Sequence, residues 1–109
     1  MKLSIYDIKG DVVKNDDTYL LKDNKTLKNL VVSSTELKPT KATRGHSHAG
    51  QEEVYYIVSG TGEMQVGNAR FKIQGGDVVL IPDGEFHRVF NTSNSPLYFV
   101  CVFDGKRNH

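Results

Sequence analysis

Between Ser59 and Pro96 the chain cannot run far without meeting a turn. Gly60 and Gly62 come first, then Gly67-Asn68, Gly75-Gly76-Asp77, Pro82-Asp83-Gly84, and the polar stretch from Asn91 to Pro96. Glycine opens backbone conformations closed to other residues and proline presets φ, so such clusters punctuate a chain. The intervals between them are too short for an ordinary helix and suit strands of about four to eight residues. They carry the matching residues: Val54-Tyr55-Tyr56-Ile57-Val58 is the clearest strand. Glu63 to Val66, Ala69 to Ile73, Val78 to Ile81, Phe86 to Phe90 and Leu97 to Phe103 follow.

The first third of the chain has a weaker pattern. Residues 3–8 alternate loosely and predict a short leading strand. Gly10-Asp11 is expected to turn, and Asn15-Asp16-Asp17 to break the pattern. Tyr19-Leu20-Leu21 and residues 29–37 are strand candidates, the second ending at Pro39. Apolar positions between Thr18 and Leu30 do not follow helical spacing. The expectation is an all-β sandwich or barrel, with residues 1–109 forming a single domain.

Composition excludes several functions. A formal charge of +1 gives no reason to expect nucleic acid as a partner. No window approaches a membrane span, and the first residues lack the apolar core of a signal peptide. A cytoplasmic protein is the expectation. The single cysteine, Cys101, has no intrachain partner and sits in an apolar run, so a buried core thiol is expected. The final residue, His109, is expected to fray.

The other three histidines fall between Gly45 and Asn91. In a strand, residues two apart face the same way, so His46 and His48 would present two imidazoles on one face, about 7 Å apart along the backbone. Imidazole ligates zinc, copper, iron and nickel, and a carboxylate extends the range toward manganese. Glu53 is the nearest candidate carboxylate, and His87 follows the turn at Pro82-Asp83-Gly84. A lone histidine pair is equally often surface decoration. Ser47, between the pair, should point away from them, which removes any reading as a catalytic serine.

The wider arrangement is more specific. His46-x-His48, four residues, Glu53, six residues and Gly60 resemble the first motif of the cupin superfamily. Gly76, five residues, Pro82-x-Gly84, two residues, His87, three residues and Asn91 resemble its second motif without a gap. One position departs: Thr40 stands where the first motif has its leading glycine. The resemblance implies a double-stranded β-barrel (jelly roll) around a divalent transition metal: Zn, Mn, Fe, Ni, Co or Cu. It implies His46, His48, Glu53 and His87 as ligands and Gly60, Gly76, Pro82, Gly84 and Asn91 as structural residues. It also implies a homodimer, formed through sheet faces or by exchange of residues 1–9.

Strand parity adds candidates around that centre. Arg44 lies two before His46 and would rim the cavity, where it could clamp a phosphate or carboxylate; a solvated arginine is the competing reading. Tyr55 shares a face with Glu53 and could bond a ligand, although a core aromatic is the commoner role. Glu85 is expected to be exposed in its turn. In the last strand Phe99, Cys101 and Phe103 form one face and Tyr98, Val100 and Val102 the other; parity alone does not say which faces inward. Three functions are compatible with these residues: a metal-dependent isomerase or epimerase acting on a small polar molecule such as a sugar or sugar phosphate, a non-haem iron dioxygenase, and a metal- or metabolite-binding module without turnover. Each takes a small-molecule ligand.

Overall fold

The computed structural model describes residues 1–105; the expectation for His109 lies outside the described residues. Among the described residues nine strands make up the framework. They are β1 (Asp11–Asn15), β2 (Tyr19–Asn24), β3 (Leu30–Leu37), β4 (Glu53–Ser59), β5 (Thr61–Val66), β6 (Ala69–Gln74), β7 (Val78–Ile81), β8 (His87–Phe90) and β9 (Leu97–Asp104). They form two antiparallel sheets, one ordered β1-β2-β3-β9-β4-β7 and one ordered β6-β5-β8. This is the all-β architecture that the turn spacing predicts, in the jelly-roll form that the cupin resemblance implies.

The alternation along each strand decides what the sheets enclose. Leu37, Ile57, Met64, Ile73, Val89, Leu97 and Phe99 are buried in one cluster between them. On β9, Phe99, Cys101 and Phe103 belong to that cluster, which settles the inward face of the strand. Cys101 is buried, as expected. Burying these side chains stabilises the fold by roughly 1.5–3 kcal/mol for each large aliphatic or aromatic residue.

The turn residues act as their types require. Gly60, Gly76 and Gly84 hold φ values of 96°, 100° and 74°, a region that penalises any Cβ. Asn91 is 2% exposed, and its Nδ2 donates to the carbonyls of Leu37, Lys38 and Ser95 at 3.0, 3.2 and 2.8 Å. That amide closes three backbone acceptors where β3 and β8 end.

The N-terminal region departs from expectation. Residues 3–8 do not form a strand; they contain a single bridge, Ser4 to Asp7. The segment folds back on its own sheet instead. Tyr6 stacks on Tyr98 with ring centroids 6.3 Å apart, and the Tyr98 hydroxyl donates to the Ile5 carbonyl at 2.7 Å. The first strand forms later, where Gly10-Asp11 and Asn15 suggested turns. Strand pairing to β2 overrode those weak local signals.

Candidate metal centre and cavity

The residues from Lys41 to Gln51 are not a regular strand. Two bridges fix them along β8, Ala42 to Phe90 and His46 to His87. The register slips by one residue between those bridges, and Gly45 lies in the slip at φ 82°. Beyond His46, which makes one isolated bridge, Ser47 and His48 lie in a loop, so the regular strand expected for His46-x-His48 does not form. The two rings nevertheless lie 5.0 Å apart, centroid to centroid.

Other contacts supply the positioning. His46 and His87 exchange backbone hydrogen bonds, N to O at 3.1 and 3.0 Å. The amide of Gln51 donates to the His48 carbonyl at 3.2 Å, and the amide of Gly50 donates to Asp83 Oδ1 at 2.6 Å. Those bonds tie the His48 loop to the turn that launches β8. Glu53 opens β4 and pairs with Ile81 and Phe103 on either side. His46 and His87 have ring centroids 5.2 Å apart, and His48 and His87 6.4 Å.

His87 is the most constrained member. Its Nδ1 lies 3.0 Å from the Glu85 carbonyl. A carbonyl only accepts, so Nδ1 carries a proton and Nε2 of the neutral ring is left with a lone pair. That Nε2 faces Glu53 Oε2 at 2.7 Å, with both side chains buried. The distance is that of an ion pair, and neither atom has a further hydrogen-bond partner among the described residues. The short distance governs the electrostatics. Burial pulls the His87 pKa down, yet the Glu53 carboxylate and the Glu85 carbonyl outweigh it, and the pKa lies above the usual imidazole value.

Two lone pairs held face to face call for a shared cation, a proton or a metal ion. A metal–nitrogen bond of about 2 Å puts ligand ring centroids within about 6 Å of one another. His46 lies within that spacing of both other rings, whereas His48 and His87, at 6.4 Å, lie just beyond it. A metal-bound histidine typically anchors its second nitrogen on a carbonyl or carboxylate, as His87 does. In residue type the donor set fits a divalent transition metal. Among the described residues no group of three or more His, Cys, Asp or Glu lies at ion-holding distance.

Beside this cluster lies a cavity of about 350 Å³, lined in part by His46, Glu53 and His87. Tyr55 lines it too, from the same face of β4 as Glu53, and so does Arg44, although the regular strand on which its parity with His46 was argued does not form. Arg44 is largely exposed. Tyr55 is 6% exposed; it stacks on Phe99 at 5.4 Å and stands edge-on to His87 at 5.7 Å. It thus serves as core aromatic and cavity wall together. Ser47 is exposed, and so is Glu85, whose carbonyl rather than its carboxylate serves the site.

Several lining residues escaped the sequence reading: Val13 and Lys14 from β1, Tyr19 and Leu21 from β2, Ser33 and Thr35 from β3. The alternation Val31, Ser33, Thr35, Leu37 could have flagged the last two as one inward face. Lys14 carried no such signal.

Residues 33–103 match the Cupin domain family, and the chain belongs to it. An oxalate-binding protein of Thermotoga maritima is 36% identical over 67 residues, covering 62% of this chain and 55% of that protein. A glucose-6-phosphate isomerase of Thermococcus kodakarensis is 30% identical over 117 residues, covering 92% and 62%. The chain spans about half the length of the curated relatives it matches, from 45% to 62%. The oxalate decarboxylase of Bacillus subtilis, described with Mn(II) centres, superposes with a TM-score of 0.80 at 21% identity over 94% of this chain and 29% of the other. That likeness concerns the fold. No helix of the described residues is long and apolar enough to cross a membrane.

Proposed function

We propose that this cupin binds a divalent transition metal through His46, His48, Glu53 and His87. We further propose that it acts on a small polar molecule, such as a sugar or sugar phosphate, as an isomerase or epimerase. The observation carrying the metal reading is the buried contact between His87 Nε2 and Glu53 Oε2. The isomerase reading is supported by the curated relatives named glucose-6-phosphate isomerase.

When bound, a divalent cation supplies a Lewis acid that polarises a carbonyl or hydroxyl oxygen. The chain's own residues do the rest. Glu85 holds His87 in the tautomer that offers Nε2. Tyr55 and Phe99 wall the cavity against water, and the Tyr55 hydroxyl is the candidate for moving a proton on the bound molecule. Arg44 lines the same cavity and can orient an anionic end. The fold itself does not assign a reaction.

Elemental analysis of the purified chain tests the metal. Solvent-deuterium exchange on a panel of sugar phosphates, with and without metal, tests the chemistry. No metal-dependent exchange on any member would sink the isomerase reading. Oxygen uptake confined to the iron-loaded chain would point to the dioxygenase instead. Tight metabolite binding without consumption would point to a non-catalytic module.

The reading includes a homodimer. Its support is an apolar outer face on the six-stranded sheet: Tyr56, Val78 and Leu80 are 40%, 55% and 68% exposed, and Tyr56 pairs with Val78 while Val54 pairs with Leu80. The proposed occupant of that face is a second copy of this chain.

A further inference from the structure

β1 reaches the cavity by an irregularity in its pairing. Asp11 opposes Asp23 and Val12 opposes Lys22, but Lys14 opposes Leu21 and Asn15 opposes Leu20. Val13 is therefore an extra residue, a bulge in the strand. Its effect on facing is definite, because side chains alternate and directly opposed residues share a face. In an unbroken strand Lys14 would share the outer face with Val12. The bulge moves it to the face of Leu21, which is buried and lines the cavity. Val13 and Lys14 both line the cavity, an adjacent pair that regular alternation would separate.

A lysine on an edge strand often serves only to block pairing with other chains. That role needs no bulge and no inward turn. Here the ammonium of Lys14 stands 5.4 Å from the centre of the Tyr19 ring, and Tyr19 is itself a cavity wall. The cation–π contact holds the charge beside the opening. Asp16 pairs with Lys14 at 3.4 Å, with both side chains substantially exposed, so solvent screens that attraction.

Arg44 brings a second exposed cation to the same cavity from the histidine segment. Among the lining residues the carboxylate is Glu53, and it faces His87. Lys14 and Arg44 thus outnumber the one lining carboxylate, with Asp16 beside Lys14 outside the lining, while Ser33 and Thr35 add hydroxyls to the wall. A volume of about 350 Å³ lies at the small end of ligand pockets.

We propose that the cavity takes a small oxyanion, a carboxylate or phosphate group on a compact molecule, and that Lys14 and Arg44 together hold it. This rests on the cavity being the ligand site of the function proposed above, but not on the metal. Lys14 is a charge anchor delivered by the bulge, and Arg44 adds planar, paired donors suited to an oxyanion.

The test is calorimetric titration of the full chain with inorganic phosphate and, separately, with malonate, at low ionic strength. Each titration is done on metal-free and on zinc-treated protein. The wild type is compared with Lys14→Gln, Arg44→Gln and the exposed control Lys28→Gln, with circular dichroism confirming that each folds. The expected result is binding of at least one probe by the wild type, weakened about tenfold by either cavity substitution and unchanged by the control. The two probes show whether phosphate or carboxylate is preferred. Failure of both to bind the wild type would overturn the proposal, as would equal affinity in the cavity variants. Zinc stoichiometry separates this outcome from the metal reading. Anion binding without zinc leaves this inference standing and removes the metal; zinc binding without an anion does the reverse.

Discussion

Nε2 of His87 and Oε2 of Glu53 meet 2.7 Å apart, buried beneath the cavity. The contact joins the start of β4 in one sheet to the start of β8 in the other. Neither strand end could hold a cation alone, because each offers one donor from its own sheet. The jelly roll brings them together, and the backbone bridge from His87 to His46 adds the histidine segment.

His87→Ala and His48→Ala are each expected to reduce bound metal by at least about tenfold, since each removes one ligand of four. Both variants should retain the β signature in circular dichroism. His87→Ala should also lower stability, because that ring is buried, while His48 is only half-buried. Elemental analysis after dialysis reads the outcome. Unchanged stoichiometry in both variants would refute the ligand assignment.

The raised pKa of His87 makes opposite predictions for the metal-free and metal-loaded chain. A raised folded-state pKa means that protonated His87 stabilises the fold. That contribution is complete below the unfolded value of about 6.5 and disappears as pH rises through the folded value. The metal-free chain should therefore lose this part of its stability on going from about pH 6 to about pH 8. Metal binding needs Nε2 unprotonated, so zinc affinity should rise over the same window. Thermal melts across that range, with and without zinc, should show the zinc-induced increase in Tm growing with pH. A pH-independent increase would contradict the assignment of His87.

Asn91→Ala should cost about 2 kcal/mol, since it leaves the buried carbonyl of Leu37 and the part-buried bond to Lys38 without the amide that serves them. Asn91→Asp should cost more, because it sets an acceptor, charged at neutral pH, against carbonyl oxygens. Urea midpoints at constant m check both. A loss below about 1 kcal/mol for the alanine variant would show that water replaces the amide.

These expectations also show where the sequence was legible. Turn residues and alternation carried the strands from Val54 onward, because glycine, proline and β-branched residues act over a few neighbours. The gathering of His46, His48, Glu53 and His87 was legible through motif spacing, although the regular strand expected through His46 and His48 does not form. β1 was not legible. Its residues are exposed, its turns are polar, and its pairing is decided by β2. The inward turn of Lys14 depends on a register slip that nothing within Asp11–Asn15 announces.

The outer face of β4 and β7 bears on association. If a second copy covers Tyr56, Val78 and Leu80, then Leu80→Glu should convert a dimer to a monomer in light scattering by burying an unpaired charge. The substitution lies on the outer face, so metal content should not change. A wild-type chain that is monomeric at high concentration would remove the dimer.

Thr40 offers the clearest test of what a departure from the motif costs. It occupies the place of the leading glycine and holds φ at 66°. A β-branched residue there brings Cβ and its branches against the backbone, at roughly 1–2 kcal/mol. The backbone stays in place because its amide donates to the Ser93 carbonyl at 3.2 Å, beside the Asn91 network. Thr40→Gly keeps that bond and relieves the crowding. It also frees the unfolded chain, which offsets the gain by about 0.5–1 kcal/mol. The balance predicts a stability increase of about 0.5–1 kcal/mol, with metal content unchanged. Thr40→Ala should gain less, because it removes the branch but keeps the Cβ. A glycine variant less stable than the wild type in urea would mean that the threonine side chain makes a contribution larger than its backbone strain.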